Sequence, residues 1–129
     1  MAAMGLQNLD MVVVFRATAP NATVPTACLT ASQAYIPANP AAPACNRYTA
    51  ADVYKALNNA DGTDAGNFKC SAHAVDRFWC PTNRVTDLTN GPDYLGVYVQ
   101  TQHHFITGLF GGTKTLKETT VLRLEPDAQ

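Results

Sequence analysis

Side chains alternate in character most regularly over residues 91–126, GPDYLGVYVQTQHHFITGLFGGTKTLKETTVLRLEP. In an extended chain Leu95, Val97 and Val99 share one face, and Tyr94, Tyr98 and Gln100 share the other. Further on, Leu116, Leu122 and Leu124 line one face and Lys117, Thr119 and Arg123 the opposite one. A connection containing Gly108, Gly111 and Gly112 separates the two runs, so the pattern predicts a long antiparallel hairpin with strands over 94–103 and 115–125. Upstream, Leu9–Ala17 (LDMVVVFRA) is β-branched and apolar on both faces over 11–15, which suits a central strand covered on both sides. Thr49 followed by Asp52 forms a capping box, and Val53, Tyr54 and Leu57 supply an apolar stripe, predicting a helix over Ala50–Asn58. Between the first strand and this helix lie Pro20, Pro25, Pro37, Pro40 and Pro43, which read as an irregular surface excursion.

The chain has 129 residues, a formal charge of −1 and only 15% charged residues. That length fits one domain spanning 1–129. The near-neutral charge argues against a nucleic-acid partner, which requires clustered Lys and Arg along a phosphate track. No apolar run approaches the roughly 18 residues that cross a bilayer, and residues 1–10 lack the basic start and apolar middle of a signal peptide. Cys28, Cys45, Cys70 and Cys80 supply the compartment marker. No Cys-x-x-Cys pair favours zinc, so the four read as two disulfides in an oxidising location, paired sequentially as Cys28–Cys45 and Cys70–Cys80 because the closed loops are then short. Trp79, beside Cys80, is expected to be a buried anchor that shields the bond. A disulfide-bonded chain without an export signal implies that the natural N-terminus lies elsewhere, residues 1–8 being an expression start or the remnant of a removed helix.

Little in the chain is arranged for chemistry. His103 and His104 are adjacent on a predicted strand and so point to opposite faces, one packed and one exposed, which prevents chelation of one ion. His73 joins them only by tertiary coincidence. Ser71 near His73 lacks a nucleophile elbow or an oxyanion arrangement. Asp76 and Asp93 are candidate paired acids, better explained by solvation or turn capping. The DGTDAG stretch at 61–66 lacks the distal acidic ligand of a calcium loop. Residues 108–112 do not fit a phosphate cradle, and Asn21-Ala22-Thr23 is a glycosylation sequon only in a eukaryotic secretory context. No catalytic residue, metal site or cofactor is therefore assigned. Phe105, Ile106, Leu109 and Phe110 form a dense apolar cluster at a bend where polar residues are usual. It reads either as a turn folded back over the sheet or as an exposed tip that docks a neighbouring subunit.

The order of these features resembles the extracellular part of TadE-like pilus-assembly proteins, pseudopilin-like minor components of tight-adherence (Flp-type) pilus systems. The likeness is carried by Val12-Val13-Val14-Phe15-Arg16-Ala17, the cysteine-bearing middle, Asp93-Tyr94-Leu95-Gly96-Val97, His103-His104-Phe105-Ile106-Thr107, Leu109-Phe110-Gly111 and Val121-Leu122-Arg123-Leu124-Glu125-Pro126. The resemblance implies a minor pilin-like, membrane-anchored subunit on the extracytoplasmic side of the inner membrane. Its anchoring N-terminal helix is missing here, and its partners would be other pilus or pseudopilin subunits and assembly proteins. The resulting expectation is an α+β, pilin-like fold: an antiparallel sheet of about four strands against one main helix, stapled by disulfides. Its function would be structural, without turnover. Two rivals remain open. One is a secreted ligand- or glycan-binding module using Tyr35, Tyr48, Trp79 and Tyr98; the other is a hydrolase or metalloenzyme using His73, His103 or His104.

Overall fold

The computed structural model describes residues 8–30, 44–58 (backbone alone for 55–58), 79–80, 84, 93–107 and 111–124. Among the described residues six elements follow in chain order: β1 (Leu9–Ala17), α1 (Thr26–Thr30), β2 (Cys45–Thr49), α2 (Ala50–Asn58), β3 (Tyr94–His104) and β4 (Thr113–Arg123). The strands form one sheet in the order β2-β1-β3-β4, every pair antiparallel. The valine-rich β1 is thus central, as its two apolar faces predict. The β3–β4 hairpin is also present, but β4 lies two residues nearer the bend than predicted. The prolines between β1 and β2 do not exclude regular structure, because Thr26–Thr30 forms a short helix immediately after Pro25. Among the described residues two short helices therefore accompany the sheet where one main helix was expected.

Strand register sorts the side chains into two faces. On one, Met11, Val13, Phe15 and Ala17 align with Gln100, Tyr98, Gly96 and Tyr94 of β3. This face carries the core: Val13, Phe15, Ala17, Cys45 and Tyr98 are buried together with Cys28 of α1, and Ala22, Val24, Leu29 and Val121 pack around them. The Cys28–Cys45 disulfide, with Cα atoms 6.1 Å apart and a sequence separation of 17, ties α1 to β2 over this core. On the loop-closure model a bond of that span removes about 3 kcal/mol of unfolded-chain entropy. Cys80 is also disulfide-bonded, while its expected partner Cys70 falls outside the described residues.

Phe15 is fully buried and sits opposite Gly96. A Cβ at Gly96 would overlap the Phe15 ring, so the ring occupies the space that any other residue would fill. A strand glycine commonly marks such a close approach.

The second face carries Val12, Val14, Leu95, Val97 and Val99, all half-buried, with Leu116 and Leu122 of β4 exposed. Asn46 projects here from β2, fully buried. Its amide Nδ2 donates to the Trp79 carbonyl at 2.8 Å, and its Oδ1 accepts from the Trp79 backbone N–H at 2.8 Å. One side chain thus replaces a strand partner for Trp79, which is 5% exposed. The indole is buried beside Cys80 as expected, and the Arg84 guanidinium lies 4.5 Å from its ring centroid.

The capping box forms as the sequence predicts. Asp52 Oδ2 accepts from the Thr49 N–H at 2.8 Å and from its hydroxyl at 2.7 Å, and the Asp52 N–H donates to Thr49 Oγ1 at 3.3 Å. Thr49 is also the last residue of β2, paired with Met11, so strand and helix share a residue without a loop between them. Val53 is half-buried, whereas Tyr54 of the predicted apolar stripe is 48% exposed.

Two substitutions test this packing. Gly96→Ala should lower unfolding free energy by about 1–3 kcal/mol, as overpacking of a filled core does, with Phe15→Leu in the same chain recovering part of the loss. Asn46→Ala should cost about 3 kcal/mol by stranding two buried backbone groups of Trp79. Denaturant melts read both. Unchanged midpoints would show that Phe15 and Trp79 are placed otherwise.

Candidate functional site

The most exposed apolar side chains of the described chain belong to the β3–β4 hairpin. β1 lies alongside β3 only from Tyr94 to Thr101, whereas β4 follows it on to His104. Gln102, His103 and His104 therefore pair with Thr115, Lys114 and Thr113 beyond the end of β1. At the bend, the Phe105 N–H donates to the Gly112 carbonyl at 3.0 Å and the Thr113 N–H to the Gly111 carbonyl at 3.0 Å. Gly111 and Gly112 both take φ of 82°, a left-handed conformation that residues with a Cβ rarely adopt. The glycine pair leads directly into the first β4 pair, Thr113 with His104.

Of the predicted apolar cluster, Phe105 is half-buried and Ile106 is 102% exposed; Leu109 and Phe110 lie outside the described residues. Ile106 does not fold back over the sheet. Phe105 meets the His103 ring edge-on, with centroids 5.0 Å apart and planes at 86°. The two histidines point to opposite faces as expected, but both are exposed. The hairpin runs past β1 here, and among the described residues no strand lies beside these two on the side of β3 away from β4. His104 Nδ1 lies 3.2 Å from the Thr113 hydroxyl. His73 and Ser71 lie outside the described residues, as does Asp76, and the 61–66 stretch as well.

Asp93 is not a solvated turn residue. Its carboxylate is buried and accepts from Arg16 Nε at 2.8 Å, while its carbonyl accepts from the Leu124 N–H at 3.0 Å. It thereby joins the end of β1 to both ends of the hairpin. Because the Arg16 side chain is 55% exposed, solvent screening holds the ion pair to about 1 kcal/mol or less. Among the described residues, no three His, Cys, Asp or Glu side chains converge on a point that would hold a metal ion.

The aromatic residues considered for ligand stacking are mostly interior. Tyr48, Trp79 and Tyr98 are all buried, and Tyr35 lies outside the described residues. Buried rings cannot present the open platform that glycan stacking requires. Tyr98 instead anchors a polar chain across the sheet. Its hydroxyl donates to Gln100 Oε1 at 2.7 Å, and Gln100 Nε2 donates to Asp10 Oδ2 at 3.1 Å. Burial, and secondarily the charge of Asp10, raise the Tyr98 pKa above its ordinary 10.0.

No protein-family model matches the chain, and neither does any curated protein or solved structure.

The raised phenol has a consequence at high pH. The folded chain holds the Tyr98 proton where the unfolded chain releases it, so this contribution is complete below pH 10.0 and is lost as pH climbs toward the folded value. Tyr98→Phe should cost about 1 kcal/mol at neutral pH through the lost hydrogen bond and should flatten the alkaline decline. Melts at neutral and alkaline pH measure both effects; an equally steep decline in the variant would assign it to other groups.

Proposed function

We propose that this chain is a non-catalytic, extracytoplasmic scaffold domain that assembles with other protein subunits, in the manner of a TadE-like minor component of a tight-adherence pilus. The observation that carries the proposal is the hairpin. Its paired strands continue beyond the residues of β3 that pair with β1, Ile106 in its connection is fully exposed, and Leu116 and Leu122 are exposed along β4. Apolar side chains at a projecting tip lose free energy to water unless another surface covers them. The docking residues of this reading are Phe105, Ile106, Leu109 and Phe110.

Sulfur chemistry supports the compartment in this reading. The Cys28–Cys45 bond and a second disulfide at Cys80 persist only where thiols are not continually reduced. No helix among the described residues is long and apolar enough to cross a membrane, so anchoring in the inner membrane would depend on an additional N-terminal helix. The pilin-like character of the fold belongs to the same proposal, as does partnership with pilus subunits. The glycan-binding alternative has less support, because Tyr48, Trp79 and Tyr98, three of the four aromatic residues it calls on, are buried.

Deleting the gene in the bacterium that encodes it should abolish or sharply reduce surface appendages, counted by electron microscopy. Full-length protein carrying Ile106→Asp should accumulate normally yet restore fewer appendages than the parent chain. Wild-type appendage numbers in the deletion strain would overturn the proposal.

A further inference from the structure

Strand β4 is 11 residues long and pairs with β3 along one side only. Among the described residues no strand meets its other side, and every residue from Thr113 to Glu118 is exposed. An edge of this length without proline leaves a row of backbone donors and acceptors ready for another strand. The opposite edge of the sheet, β2, has 5 residues and runs straight into a helix.

We propose that β4 is the surface through which a second copy of this chain adds antiparallel, with Leu116 opposite Leu116, so that the two sheets become one. Two constraints select this register. Side chains alternate across a strand, so a continuous sheet requires opposed residues to lie on equivalent faces, and only registers centred on a residue satisfy this. Charge then discriminates among them. Centring on Lys117 opposes that lysine to itself, and centring on Glu118 does the same with glutamate. Centring on Thr120 sets Lys117 against Arg123, and centring on Thr119 opposes no charges. Centring on Leu116 places Lys114 opposite Glu118 twice, once on each side of the two-fold axis. Leu116, 47% exposed in the single chain, then lies between the two ion pairs against its own copy.

Lysines on an edge strand ordinarily discourage pairing, and Lys114 and Lys117 would do so against a foreign strand. In this register Lys114 gains a carboxylate and Lys117 faces Thr115. The contact is isologous and uses the only β4 edge of each copy, so it closes at two chains and does not propagate. It deepens the scaffold reading by naming a first partner, and rests on that reading for its purpose but not for its geometry.

Sedimentation equilibrium of the whole chain over a concentration series should show a monomer–dimer equilibrium. Lys114→Glu and Glu118→Lys should each weaken the dimer about tenfold, since each change converts two attractive cross-strand pairs into repulsive ones. The double variant should restore wild-type association. Both side chains are exposed, so circular dichroism should be the same for all four proteins. A chain that stays monomeric throughout would overturn the inference. So would assembly beyond two copies, or a dimer indifferent to either single change or not restored by the double. A monomer would leave the scaffold reading intact, because appendage loss on gene deletion tests that independently.

Discussion

One transverse row of side chains organises this domain. Cys45, Phe15, Gly96 and Val121 stand opposite one another across β2, β1, β3 and β4. The Phe15 ring fills the space over Gly96, the disulfide from Cys45 holds α1 above it, and Val121 packs at the far side. An aromatic ring seated here needs the absence of a Cβ beside it, so size and vacancy are matched across two strands. Everything else on this face, from Val13 to Tyr98, packs outward from that row.

Much of the fold was legible because its signals are periodic or covalent. The apolar run of β1 announced a central strand, alternation announced the hairpin, and Thr49 with Asp52 announced α2. The sequential cysteine pairing held for Cys28–Cys45. By contrast β2 was illegible: CNRYT has no hydrophobic period, and Asn46 is polar yet wholly buried because its amide serves Trp79. Its strand character comes from β1 beside it, a tertiary cause that propensity does not record. Helix α1 was hidden among prolines, since a helix so short is held by tertiary contacts at Cys28 and Leu29 and not by its own sequence.

The candidate site was legible in part, and for a similar reason. An apolar cluster at a bend stood out from the sequence, and Ile106 is indeed uncovered. Which histidine would be packed depended on how far β1 extends, a length comparison between strands distant in sequence. The Arg16–Asp93 contact spans 77 positions and involves residue types that are usually solvated, so no local pattern marked it. The two-residue offset of β4 begins its pairing at Thr113, directly after Gly111 and Gly112 with their left-handed φ.

The shared residue at the β2–α2 junction has a dynamic consequence. Thr49 completes the ladder with β1 and simultaneously holds the first turn of the helix, so neither element can detach while leaving the other whole. Peeling of that border would uncap the helix, and fraying of the helix start would loosen the border. The two should therefore exchange their amide hydrogens as a single cooperative unit.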